Sequence, residues 1–154
     1  MPSFLTRELL VLWVATLPVV ELRGAIPLGI SLGMPPLEAF FLGVVGNLMP
    51  VPALLLLLEP ACRSIRRWRP VRRLFDRVLE RNRSRSEKLR RWGLVGLGLF
   101  VAIPLPTTGV WSGSLVASMM GLKFWPSMIA LSAGALVAGA LVTTLSYLGL
   151  VTTP

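Results

Sequence analysis

Residues 19–29 read Val19-Val20-Glu21-Leu22-Arg23-Gly24-Ala25-Ile26-Pro27-Leu28-Gly29, a carboxylate and a guanidinium two positions apart in an otherwise apolar neighbourhood. Before them, Leu9 to Leu17 is apolar for only about nine residues and stops at Pro18. Through them, Gly24 to Leu32 is a second short run, ended by Gly33 and Pro35-Pro36. Neither run crosses ~30 Å of hydrocarbon, which takes about 20 helical residues. Two short helices joined by a polar elbow read as a re-entrant hairpin, tolerated at membrane depth only where protein or a water-filled cavity surrounds the backbone. Leu37 to Leu58 then has the length of a full span, interrupted by Asn47, Pro50 and Pro52.

The same plan recurs 88 residues on. Leu17-Pro18, Glu21-Leu22-Arg23, Gly33, Pro36 and Gly46 fall opposite Leu105-Pro106, Gly109-Val110-Trp111, Gly121, Phe124 and Gly134. Leu94 to Ile103 and Val110 to Gly121 make the second short pair, Pro104 to Gly109 its elbow, and Phe124 to Leu150 a full span without a charge. Each unit then crosses the membrane once, so the second is inverted relative to the first and the two elbows meet near the midplane. Repeated interrupted segments of this kind point to a transporter binding site. The expected fold is an all-α integral membrane protein, one domain over residues 1–154. Repeat one covers 5–58, a basic cytoplasmic linker 63–92 and repeat two 93–150.

Composition agrees with a bilayer as solvent: the 154 residues are 54% hydrophobic with a mean hydropathy of +0.72. The single cysteine, Cys62, excludes an intramolecular disulfide. The chain has no histidine, and its carboxylates are scattered. Metal centres, cofactors and hydrolytic triads are therefore not expected, nor is enzymatic activity. The net charge of +9 is concentrated in residues 63 to 92, where thirteen Lys/Arg face only Asp76, Glu80 and Glu87. The positive-inside rule puts that loop in the cytoplasm, and without a recognition motif it is no case for nucleic acid. Within it Ile65, Trp68, Val71, Leu74, Phe75, Val78 and Leu79 recur at three- and four-residue steps, with Pro70 starting or kinking the helix. A basic amphipathic helix of this type lies against anionic lipid headgroups; a solvated connector is the plainer alternative. Arg7 and the apolar run after it lack a small-residue cleavage site, so no signal peptide is expected. A bacterial inner membrane is the natural home.

The elbows carry the chemistry. Glu21 and Arg23 stand at the N-terminal end of a half-helix, whose free N–H groups and dipole attract an anion. Arg23 adds a planar fork suited to phosphate or carboxylate. Glu21 can pair with Arg23 or take up a proton; a plain internal ion pair is the alternative for both. Gly24 and Pro27 shape the first elbow, and Asn47 is a polar group inside the first span. In the second elbow Thr107 and Thr108 are expected to cap the next helix, Gly109 to allow close approach, and Trp111, at the position of Arg23, to donate through its indole N–H or stack on a cation. Packing is the alternative for Trp111. Ala130, Gly134 and Ala138, with Gly139 alongside, form a small-residue ridge suited to helix packing, and Trp13, Trp92 and Trp125 suit the membrane interface.

Three segments, Glu21 to Gly29, Gly46-Asn47-Leu48-Met49-Pro50-Val51-Pro52 and Ile103 to Trp111, resemble the signature segments of the small multidrug export proteins, grouped with the DedA-like membrane proteins. Thr107 departs from the glycine expected there and stiffens the elbow. The resemblance implies drug export by the family name, or recycling of a polyprenyl-phosphate lipid carrier with proton coupling by the DedA-like grouping. Three readings follow: a translocase for an anionic amphiphile such as a polyprenyl phosphate, a proton-coupled exporter of cationic amphiphiles, and a scaffold that gathers lipids without transport. An Arg beside helix N-termini favours the anion. The small core per repeat suggests a homodimer.

Overall fold

The structure is a computed structural model describing residues 4–65, 86–103 and 108–152. These form α1 (Phe4–Thr16), α2 (Glu21–Ser31), α3 (Pro36–Leu48), α4 (Val51–Ile65), α5 (Ser86–Ala102), α6 (Val110–Met119) and α7 (Phe124–Thr152), with no strand among the described residues. Two stretches, Pro36–Leu58 and Phe124–Gly149, are long and apolar enough to cross a membrane, and only 33% of the most apolar part of each is buried inside the protein. A core helix of a soluble protein would be covered on most sides. Here Leu37, Phe41, Val45 and Met49 follow one another at four-residue steps along the outer face of α3, each more than half exposed. That stripe needs an apolar solvent.

Both short pairs form as helices, with shifted boundaries. Helix α2 begins at Glu21 itself, so both charges sit in its first turn. The first span is broken: α3 stops at Leu48 and α4 starts at Val51, because Pro50 has no N–H to continue the ladder. Helix α4 runs on to Ile65 and α5 starts at Ser86, so helical structure extends into both ends of the 63–92 segment. The amphipathic stripe from Trp68 to Leu79 lies outside the described residues.

The 88-residue correspondence is visible in the backbone. Gly33 and Gly121 both have positive φ, 81° and 65°, where a side chain would be strained. Each closes its helix with the same two bonds. The N–H of Gly33 donates to Ile30 O (3.0 Å) and that of Met34 to Gly29 O (3.1 Å); Gly121 donates to Ser118 O (3.1 Å) and Leu122 to Ala117 O (3.0 Å). These are Schellman closures. Gly46 and Gly134 also do the same work. A Cβ on Gly46 would come within 2.6 Å of the Leu12 carbonyl oxygen of α1, and one on Gly134 within 2.6 Å of the Gly98 carbonyl oxygen of α5. Backbone thus meets backbone at α1–α3 and at α5–α7.

On the ridge of α7, Ala130 and Gly134 face α5 through Gly98, whereas Gly139 faces Phe40 and Val44 of α3. One helix therefore offers small residues to two neighbours. The main core joins both halves, with Leu22, Ile26 and Val51 from the first and Leu97, Val101, Val110 and Leu131 from the second in one cluster. Trp13, Trp92 and Trp125 are 68%, 73% and 72% exposed.

Candidate functional site

Each elbow closes on the other. After α1 ends at Thr16, residues 17 to 20 turn the chain, and the Glu21 N–H donates to Leu17 O at 3.0 Å. Glu21 has φ of 51°, the one non-glycine residue with positive φ among those described. A left-handed L-residue costs roughly 1–2 kcal/mol, and such strain gathers at functional sites. Gly24 sits one turn on, where a Cβ would overlap the Val20 side chain. Pro27 lies inside α2 and leaves the Arg23 carbonyl without its i+4 donor.

The strained backbone directs the Glu21 carboxylate into the second elbow. It is 5% exposed and accepts from the backbone N–H of Trp111. Its oxygens occupy the space that a Cβ on Gly109 would need. Gly109 is the N-cap of α6, so Glu21 supplies from another helix the negative group that this N-terminus lacks locally. A second N-terminal donor is met from within: the Gly109 N–H donates to Ser112 Oγ at 3.0 Å, and Ser112 Oγ–H donates back to Gly109 O at 3.1 Å.

Arg23 reaches across the same break. Its Nη2 donates to Thr108 O at 2.6 Å, Thr108 Oγ1 at 3.1 Å and Ile103 O at 3.3 Å. The guanidinium thus bridges the break, holding Thr108 just before the N-cap of α6 and, more weakly, the Ile103 carbonyl just past the C-terminus of α5. The two charges attract through space but make no direct ion pair. The pairing of Glu21 with Arg23 expected from their spacing is replaced by separate bonds to the second elbow. Arg23 Nε is buried and has no partner among the described residues.

Trp111 returns the contact. Its indole N–H donates to Thr16 O at 3.2 Å, the last residue of α1. Position 23 of one unit and position 111 of the other therefore each donate to the end of the opposite unit's first helix. Thr108, 7% exposed, does not cap α6 as expected. Its hydroxyl donates to Ile103 O at 2.6 Å and folds the elbow back on itself.

The structure therefore brings together Glu21, Arg23, Thr108, Gly109 and Trp111. Gly24 and Pro27 shape the approach, and Thr107 lies outside the described residues. Asn47 belongs to a separate environment in α3, 1% exposed, with neither amide atom bonded. Ser112 and the carbonyls of Ile103 and Thr16 were not expected from the sequence. Ser112 carried a faint signal, a hydroxyl three residues after an N-cap; the carbonyls carried none.

The family model described as "Putative small multi-drug export protein" matches residues 21–141. That match begins at Glu21 and takes in α2 to α6, the second elbow and most of α7, but not α1 or the turn at residues 17 to 20. No curated protein and no solved structure matches the chain.

Proposed function

The chain belongs to this small multi-drug export family and is a membrane protein, and on that premise we propose that it carries an anionic amphiphile across the bilayer between its two elbows. The observation that carries the reading is Arg23 Nε, a buried cationic donor without a partner beside an α6 N-terminus already tuned for a carboxylate. Glu21 stands there as an internal stand-in for the headgroup. An incoming phosphate or carboxylate takes the Trp111 N–H and the free edge of Arg23, and Glu21 leaves that position by taking up a proton. Anion binding and proton uptake are then one event, so affinity rises as pH falls.

Each unit crosses the membrane once in this reading, its hairpin re-entering from one face, and the two units are inverted. The basic loop faces the cytoplasm of a bacterial inner membrane, where a polyprenyl phosphate is a fitting substrate. The family's description supports a second reading, export of cationic amphiphiles, in which Glu21 meets the cation and Trp111 stacks on it.

Reconstitution into liposomes separates the two. With labelled polyprenyl phosphate in one arm and a cationic dye in the other, the anion should move and the dye should not. Glu21→Gln should bind the anion well, lose its pH dependence and fail to respond to a proton gradient. Dye movement without lipid movement would favour the cation exporter. An unchanged pH profile in Glu21→Gln would remove the proton from the mechanism.

A further inference from the structure

We propose that Trp111 is the clasp of the two elbows, a positioning residue that grips both ends of the first elbow and lets go before the elbows part. The proposal rests on the reading of transport between the elbows and adds what keeps them shut. The backbone N–H of Trp111 donates to the Glu21 carboxylate, and its indole N–H donates to Thr16 O at 3.2 Å. Thr16 ends α1 and Glu21 begins α2, so one residue of the second unit spans the turn at 17–20 from end to end.

The gripped turn is closed on itself as well. Glu21 N–H donates to Leu17 O at 3.0 Å, and Glu21 is held with φ of 51°. Strained backbone of this kind persists only where its surroundings over-determine it. Helix ends leave their last carbonyls without an intrahelical donor, and the indole supplies Thr16 with one. The first turn of α6 carries the clasp stiffly. Gly113 N–H donates to Gly109 O at 2.8 Å, and Gly109 and Ser112 bond each other in both directions. A shift at the Trp111 N–H is therefore also a shift of the indole. The residue just before this turn is fixed separately, because Arg23 holds Thr108. When Trp111 lets go, the start of α6 swings about residues 108 and 109 while Arg23 keeps the two units joined.

The two grips differ in kind. The one on Glu21 is charge-assisted and the stronger, whereas the indole's bond to a carbonyl is neutral. A headgroup that displaces Glu21 removes the stronger grip and leaves the weaker one alone. A loaded pair of elbows then opens more readily than an empty pair, which is the order that transport requires. Packing is the plainer role for Trp111, since its ring also lies against the main core. Packing needs the shape of the ring and not its N–H.

A thiol reporter in the full chain tests the clasp. Val110 lies in the same turn and is 0% exposed. In a Cys62→Ser, Val110→Cys protein in liposomes, a small thiol reagent reacts at position 110 when the elbows part and water lets the thiol ionise. Replacing Trp111 with 3-benzothienylalanine keeps the fused ring and drops the N–H. Without any ligand, that protein should label at least several-fold faster than the one with Trp111. Trp111→Phe should do the same, and adding Glu21→Gln should speed labelling further. If Trp111→Phe fails to fold, the benzothienylalanine protein decides alone. Labelling of the benzothienylalanine protein at the Trp111 rate overturns the clasp, even where Trp111→Phe labels faster, because shape alone would then matter. Decyl phosphate should speed labelling of the protein with Trp111. If it does not, while the benzothienylalanine protein still labels faster, the clasp stands and the anionic headgroup falls.

Discussion

At the scale of the residue, the contact between Glu21 and Gly109 is the most exposed to test. Gly109→Ala puts a methyl group where the carboxylate lies, so it should destabilise the fold by about 1–3 kcal/mol, the usual cost of overpacking. Glu21→Ala removes the obstacle. The double variant should therefore lose less than the two single losses added together, with a coupling of about 0.5–3 kcal/mol in thermal unfolding. Additive losses would mean that the two residues do not touch. Arg23→Lys keeps the charge but cannot hold Thr108 O, Thr108 Oγ1 and Ile103 O with one planar group. If Arg23 grips an anion, this variant should weaken headgroup binding by roughly 1–3 kcal/mol in a vesicle-binding titration. Unchanged binding would remove Arg23 from the headgroup site. The sequence announced both residues, since charge in an apolar run has few innocent explanations. It did not announce their partners. A spacing of two suggests that Glu21 and Arg23 serve each other, and only the fold shows that both reach across to the second elbow, Glu21 at Gly109 and Trp111 and Arg23 at Thr108 and Ile103.

At the scale of the element, the glycines divide by task, and substitution should separate them. Gly33→Ala and Gly121→Ala force a Cβ into left-handed backbone and should each cost about 1–2 kcal/mol. Gly96 lies in α5 with nothing within 4 Å of the site of a Cβ, so Gly96→Ala should be neutral or stabilising by up to about 1 kcal/mol. A loss at position 96 matching those at 33 and 121 would refute the distinction, read from unfolding midpoints in detergent. The repeated glycines were legible because a turn and a close helix crossing each leave a local mark at fixed spacing. Helix ends were less so. Apolar pattern alone started α2 at Gly24, whereas the backbone turns at Leu17 and takes Glu21 and Arg23 into its first turn. The stretch from 37 to 58 was legible as a span by its length, and its interruption at Pro50 by the missing N–H.

At the scale of the whole molecule, residues 63 to 92 should be cytoplasmic and both termini outside. With Cys62→Ser removing the native thiol and Glu80→Cys placing a new one, an impermeant thiol reagent should label only opened cells; labelling of intact cells would reverse the topology. The contact at the centre has a consequence for how the halves can pair. Glu21 and Gly109 are counterparts, 88 residues apart, and they touch each other. A position that meets its own counterpart is costly to make acidic in both copies, because two carboxylates in one space must share a proton. Two copies of the first half paired with each other would meet that conflict, whereas two unlike halves do not. Cutting the chain and pairing the first half with itself should accordingly fail, while co-expressing the two unlike halves should succeed.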